Sequence, residues 1–229
     1  MLRTVKLGET DRIVTILSRS HGRIRAVAKG ARRPGSRFGA RLEPTGHVAF
    51  QCYRGRELDV VTQVEAIEVW RTLREHYGCL THAVSMLEAA DQVAPEREPH
   101  PELYRMLVGA LRTLSNRRSP MVAPAFFWKL LSLEGFHPLL DVCARCGGEG
   151  PFAAFDLMEG GVVCATCGRF AGRRLGPDAL DVLRRMLGGE LATVLADPPS
   201  PEVMQETERL AVAALEHHLE RRLRSAALL

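Results

Sequence analysis

The stretch Arg12-Ile13-Val14-Thr15-Ile16-Leu17-Ser18-Arg19-Ser20-His21-Gly22-Arg23-Ile24-Arg25-Ala26-Val27-Ala28-Lys29 reads as two β-strands joined by a turn at His21-Gly22. The first strand is a β-branched run, with Ile13-Val14-Thr15-Ile16 at its centre. The second alternates, so that Ile24, Ala26 and Ala28 share one face while Arg23, Arg25, Val27 and Lys29 share the other. A period of two is the strand signature. Working outward, residues 2–7 read as a strand before it. Residues 45–53 and 57–64 read as two more, joined by a turn at Arg54-Gly55-Arg56. Five short strands within 65 residues suit a small Greek-key barrel of the OB type.

Near Glu65 the period changes. Ile67, Trp70, Leu73, Tyr77 and Leu80 recur at helical spacing, with Val84, Leu87 and Ala90 beyond. Residues 95–101 form a proline-rich break. Helices are expected over 102–114, 124–133 and 178–187, and a long one over 202–228, with Val203, Leu210, Ala214 and Leu219 along one side. The fold class is therefore α+β: an N-terminal OB-fold β-barrel at 1–65, then a helical domain at 66–229 with a zinc ribbon-like insertion at 141–170. Phe126, Phe127 and Trp128 read as core, with a groove for a partner peptide as the alternative. No apolar run approaches the ~18–20 residues needed to span a bilayer, and the N-terminus does not read as a signal peptide. The expectation is a cytoplasmic protein.

The insertion holds Cys143, Cys146, Cys164 and Cys167, spaced C-x2-C-x17-C-x2-C. Each CxxC turn aims two thiolates the same way, as a tetrahedral zinc site needs. Gly147-Gly148 and Gly168 ease the tight turns. Four thiolates leave no open coordination position, which points to one structural zinc ion per chain. The segment between the pairs shows few regular patterns, so metal is expected to supply much of its folding free energy. His137, six residues before Cys143, reads as a structural or surface histidine rather than a ligand. His217-His218 reads as solvent-facing. Cys52 and Cys79 read as buried small hydrophobes.

The net charge of +4 is unevenly spread. Residues 1–56 hold thirteen Lys/Arg against three acids, a net +10, and the rest holds eighteen against twenty-four, a net −6. Residues 19–41 contain eight Lys/Arg and no acid. Such a surface suits the phosphates of a nucleic acid. The candidate DNA contacts are Arg19, Arg23, Arg25, Lys29, Arg32, Arg33, Arg37, Arg41, Arg54 and Arg56. Phe38, beside the densest part, is either a stacking platform for a base or an anchor for the loop. No helix-turn-helix or base-reading finger is present, so backbone contacts are expected. No P-loop and no Gly-x-Ser-x-Gly elbow occur, and Glu9 and Asp11 have no second acidic cluster to form a two-metal nuclease site. No catalytic residue is assigned.

Three segments together resemble the RecO family of DNA-repair recombination mediators. The first runs Gly8-Glu9-Thr10-Asp11-Arg12-Ile13-Val14 through His21-Gly22-Arg23 to Lys29-Gly30-Ala31-Arg32-Arg33 and Ser36-Arg37-Phe38. The second is the apolar segment 127–138, with its Leu133-Glu134-Gly135-Phe136 ending and Pro138. The third is the pair of CxxC knuckles. One departure is that this chain begins inside the strand that several residues usually precede in the family. Some members also lack the zinc cysteines, in keeping with a structural role.

The resemblance implies a non-enzymatic protein that binds single- and double-stranded DNA and anneals complementary strands without ATP. It implies cooperation with RecR to load RecA onto DNA coated by single-strand-binding protein, contact with that protein's acidic C-terminal tail, and a nucleoid-associated location. Two other readings are an RNA-binding OB module with a structural ribbon and a zinc-dependent nucleic-acid hydrolase.

Overall fold

A computed structural model describes residues 1–36, 38–169 and 172–229, with the backbone alone for 39 and 40; Arg37 lies outside the described residues. The architecture is α+β, with an OB-like five-stranded sheet followed by a mainly helical region. The chain divides into two compact units, Met1–Arg118 with Leu228–Leu229, and Ser119–Ala227.

In the first unit, β1 (Arg3–Leu7), β2 (Asp11–Ser18), β3 (Gly22–Ala28), β4 (His47–Tyr53) and β5 (Asp59–Glu68) form one sheet in the order β1-β2-β3-β5-β4. All neighbours are antiparallel except β3 and β5, which run parallel over Ala26–Val27 against Asp59–Val60. The alternation expected of β3 holds: Ile24, Ala26 and Ala28 are buried, Arg25 is exposed and Val27 is half-buried. Ala26 and Ala28 join Val14, Ile16, Val61 and Val64 in the barrel core.

Phe38 and Leu42 complete that core. Phe38 is only 2% exposed, which settles its role as the loop's anchor and corrects the stacking alternative: a buried ring offers no face to a base. Gly22 is required twice over. Its φ is +63°, and a Cβ there would sit 1.9 Å from the Glu98 carbonyl oxygen. That close approach lets residues 95–97 pair with β3, Arg23 N donating to Pro95 O and Arg97 N donating to Arg23 O, each at 3.0 Å.

The helical stripe read from Ile67 to Leu80 is out of phase. β5 continues to Glu68 because its ladder with β4 extends to His47↔Glu68, so Ile67 stands on a strand, 56% exposed. Helix α1 (Arg71–Glu75) and helix α2 (Tyr77–Val93) then follow, with Trp70 and Leu73 buried but Tyr77 72% exposed. Helix α3 (Pro101–Arg117) buries Leu103, Leu107, Leu111 and Leu114. It is fastened to the barrel by a polar cluster. His47 bridges Glu68 (Nδ1···Oε2, 3.0 Å) and Tyr104 (Nε2···OH, 2.9 Å), and Arg112 donates twice to Glu68 at 3.0 and 2.8 Å.

In the second unit, α4 (Val122–Leu133) buries Phe126, Phe127 and Trp128. It packs with α5 (Pro177–Leu187) and α7 (Pro201–Leu219), with the short α6 (Leu191–Ala196) between them. Three aromatic side chains of 150–250 Å2 each make this stripe the natural nucleus of a core. The long terminal helix expected to reach residue 228 ends at Leu219. Glu220 takes a left-handed conformation (φ +49°), Glu216 Oε1 accepts the N–H of Leu223 at 2.8 Å, and Leu223 is buried. Burial of Leu223 thus turns the chain without the glycine that usually signals such a stop.

The segment between the cysteine pairs is more regular than expected. β6 (Phe152–Asp156) and β7 (Gly161–Cys164) form a hairpin, and β8 (Arg173–Arg174) flanks β6. No described helix is long and apolar enough to cross a membrane.

Candidate nucleic-acid interface and metal centre

The β2–β3 register sorts the basic residues into two groups. Ser18 lies opposite Gly22 and Arg12 opposite Ala28, so the turn at 19–21 is at one end of the hairpin and residues 29–33 are at the other. Six steps of about 3.3 Å along β3 separate them by roughly 20 Å. Lys29, Arg32 and Arg33 stand at the lower end, while Arg19, Arg54 and Arg56 occupy the turns at the upper end. Arg25 projects from β3 between them, and Arg41 sits on the 3-10 turn Gly39–Leu42; all eight are exposed. Arg23 is placed differently. It is half-buried, and its guanidinium donates to the Asp91 carbonyl at 2.6 Å and lies 3.5 Å from the Asp91 carboxylate.

The lower end is preorganised. Asp11 Oδ1 accepts the N–H of Gly30 at 2.8 Å and the hydroxyl of Thr10 at 2.9 Å. Arg32 N donates to Thr10 O at 2.9 Å, and the Arg32 guanidinium donates to Gly8 O at 3.2 Å and Glu9 O at 2.9 Å. The two segments 8–12 and 29–33 are therefore one structure, the base of the basic loop being tied to the β1–β2 turn. The Gly30 N–H, then the Thr10 hydroxyl, with Arg33 and Lys29 nearby, holds the Asp11 carboxyl below the usual carboxylate range. Asp11 is a loop anchor, a role its acidity alone did not announce.

At the upper end, Asp59 is 4% exposed and is clamped by Arg97 at 2.8 and 3.3 Å. The Arg97 guanidinium lowers the Asp59 carboxyl, chiefly through this hydrogen bond. Cys52 lies 3.9 Å from the same carboxylate and Cys79 is buried in α2; burial pushes both thiols up.

In the second unit the four predicted cysteines converge, their Sγ atoms all within 4.8 Å of one another. Cys146 and Cys164 Sγ are 3.9 Å apart. Thiolates around zinc at about 2.3 Å, tetrahedrally disposed, would be about 3.8 Å apart. The first knuckle is closed by Gly147 N to Cys143 O (2.8 Å) and Cys143 N to Gly148 O (2.9 Å), with Gly147 at φ +72°. Ala144 N donates to Val162 O at 2.8 Å, which seats this knuckle on the hairpin. The absence of a side chain on Gly161 permits the approach, since a Cβ there would be 3.0 Å from Ala144 Cβ and 2.7 Å from Leu139 O. Arg145 donates to the buried Asp156 at 2.6 Å, and Asp156 in turn caps the hairpin turn through Met158 N at 3.0 Å.

The thiols are tuned against one another. The N–H of Cys164 helps pull Cys143 down to about 6, the N–H of Cys167 lowers Cys164, and Cys167 is pushed up to about 12 by hydrogen bonding to Cys164. Four neighbouring thiolates repel unless a cation sits among them, so this donor set can hold a metal ion. His137 is not part of it: its Nδ1 lies 2.9 Å from Ser132 Oγ. His217 is exposed as expected, while His218 is half-buried against Phe136, ring centroids 3.8 Å apart.

Two family models match the chain, recombination protein O N terminal over residues 1–70 and recombination protein O C terminal over residues 74–227. Their domains carry a role in DNA recombination and repair. Between them they span both the barrel with its basic turns and the helical region with its four cysteines, so the chain belongs to the recombination protein O family.

Proposed function

We propose that this chain is a non-catalytic recombination mediator that binds single- and double-stranded DNA through the basic ends of its barrel and anneals complementary strands without ATP. The observation that carries this reading is the exposed array of Arg19, Arg25, Lys29, Arg32, Arg33, Arg54 and Arg56 on an OB-like sheet in a chain of this family. Arg37 and Arg41 extend the array in sequence. Arg23 serves the fold first, through Asp91.

The mechanism is electrostatic. Two groups of guanidinium and ammonium charges about 20 Å apart can each neutralise phosphate, one strand at each, lowering the repulsion that opposes pairing. Asp11 and Arg32 hold the lower group in place, so binding does not first have to order that loop. If the array neutralises roughly five phosphates, log affinity for single strands falls with log salt at a slope of about −3.5. The metal is zinc in this reading, held by Cys143, Cys146, Cys164 and Cys167. All-thiolate coordination gives it a structural part, and the hairpin is what it supports. Family membership extends the proposal to RecR, to the acidic tail of single-strand-binding protein and, through them, to RecA loading in the cytoplasm at the nucleoid.

The test is annealing of complementary oligonucleotides without ATP, naked and precoated with single-strand-binding protein. The wild type is compared with a variant carrying Lys29→Ala, Arg33→Ala, Arg54→Ala and Arg56→Ala. The expected result is fast annealing that the variant loses. Failure of the wild type to bind or anneal DNA overturns the proposal. Preference for RNA oligonucleotides favours the RNA-binding alternative, and cleavage of either favours the hydrolase.

A further inference from the structure

The upper end of the barrel contains a groove that the phosphate array does not account for. β3 pairs with β5 only at Ala26–Val27. Toward its N-terminus β3 parts from β5, and residues 95–97 pair with it there instead. The gap is a groove of about 840 Å3 between the 18–21 turn on one side and the end of β4 on the other. Phe50 and Tyr53 of β4 line it, and Tyr53 is 54% exposed, a large ring presented to solvent at a groove mouth. Ser20, Gln51 and Thr62 add polar groups to the walls.

The charge around it is one-sided. Arg54 lines the groove, and the neighbouring turns at 19–21 and 54–58 carry Arg19 and Arg56 besides, against Glu57 alone. None of these three arginines forms a salt bridge among the described residues, and all are exposed. Asp59, the acid in the lining among the described residues, is salt-bridged by Arg97, and the more distant Arg54 adds to the positive field on it without bonding it. An aromatic side chain with an exposed arginine next to it, as Tyr53 has Arg54, is what a base on a phosphate chain requires: the ring takes the base by stacking and the guanidinium takes the adjoining phosphate.

We infer that this groove captures an unpaired base of single-stranded DNA, with Tyr53 as the stacking platform and Arg54 as the phosphate contact. The inference rests on the DNA-binding reading above and adds a site to it. Phe38, the aromatic closest in sequence to the basic run, is unavailable, and Tyr53 takes the role. The two ends of the barrel then differ in kind. The lower end offers charge alone, and the upper end offers charge and a ring. A strand is held at the upper end only where its bases are unpaired.

The experiment measures binding of a 12-nucleotide thymidine oligomer and of an abasic oligomer of equal length and charge, by fluorescence anisotropy across a salt series. Wild type should bind the thymidine oligomer on the order of tenfold more tightly than the abasic one. Tyr53→Ala should abolish that preference by weakening only the thymidine complex, with its salt slope unchanged, and Tyr53→Phe should retain it. Arg54→Ala should weaken both complexes alike and flatten the slope by about 0.7. Because Tyr53 is exposed, neither substitution threatens the fold; matching thermal transitions confirm it. Wild type that binds both oligomers equally, or Tyr53→Ala that keeps the preference, overturns the groove while leaving the DNA-binding reading intact. Wild type that binds neither overturns both.

Discussion

Asp11 Oδ1 accepts the backbone N–H of Gly30 at 2.8 Å, joining the β1–β2 turn to the base of the basic loop. The first prediction follows from this contact. Asp11→Ala removes an acceptor whose loss leaves Gly30 unpaired and the 29–33 segment less ordered. Urea unfolding should show reduced stability at neutral pH, and affinity for DNA should fall although no cation has been removed. Asp11→Asn keeps an acceptor oxygen and should restore most of the affinity. The folded-state carboxyl is lowered, so its contribution is present above the ordinary Asp value of about 3.9 and is lost as pH falls through the folded value.

Phe38 fills the barrel core, and its truncation should act on folding. Phe38→Ala is expected to cost about 3–5 kcal/mol, the range for a buried aromatic ring. Chemical denaturation measures the loss. Affinity measured on the folded fraction should fall only as far as the loop loses its anchor, and a variant that keeps full stability while losing DNA affinity contradicts the packing described for Phe38.

Glu68 ties β5 to α3 through Arg112 and His47, and the Arg112 guanidinium, with help from His47, holds its carboxyl down to about 2. The pair is partly exposed, so Glu68→Gln should cost only on the order of 0.5–1 kcal/mol. A lowered folded-state value means the stabilisation is complete above the unfolded value of about 4.3 and disappears as pH falls toward 2. Denaturation at pH 7 and pH 5.5 should show the same wild-type-minus-variant difference, and at pH 3 a smaller one.

One equivalent of zinc should be released per chain when the thiols are titrated with a mercurial reagent. Removal of the metal should unfold the 141–170 hairpin, seen as loss of amide protection around Val162 and Val163, while the amides of β2 and β3 in the other unit stay protected. Cys143→Ser should have the same effect as chelation. Full protection of the hairpin after metal removal contradicts the structural role.

The alternation in β3 was readable because a two-residue period is a local property, and so was the CxxC pairing, because a metal knuckle is built from neighbouring residues. The resemblance carried by residues 8–12, 29–33 and the knuckles likewise lies in short stretches. Their physical reason was not readable there: that Asp11 receives Gly30, or that Gly22 must let the Glu98 carbonyl pass, depends on segments brought together from 19 and 76 positions away.

What the sequence determined by itself is the barrel's strands, the apolar helix around Phe126 to Trp128, the pairing of the four cysteines and the excess of positive charge before residue 57. What only the tertiary structure decided is how these are disposed. The β4–β5 ladder carries β5 on to Glu68 and moves Ile67 off the supposed helix. The hairpin register splits the arginines between two ends. The closing of β3 on β5 buries Phe38 and leaves Tyr53 at the groove. Each of these outcomes rests on hydrogen bonds and burial between residues distant in the chain, and periodicity, which reports only which side of its own strand or helix a residue faces, carries no information about what that side will meet.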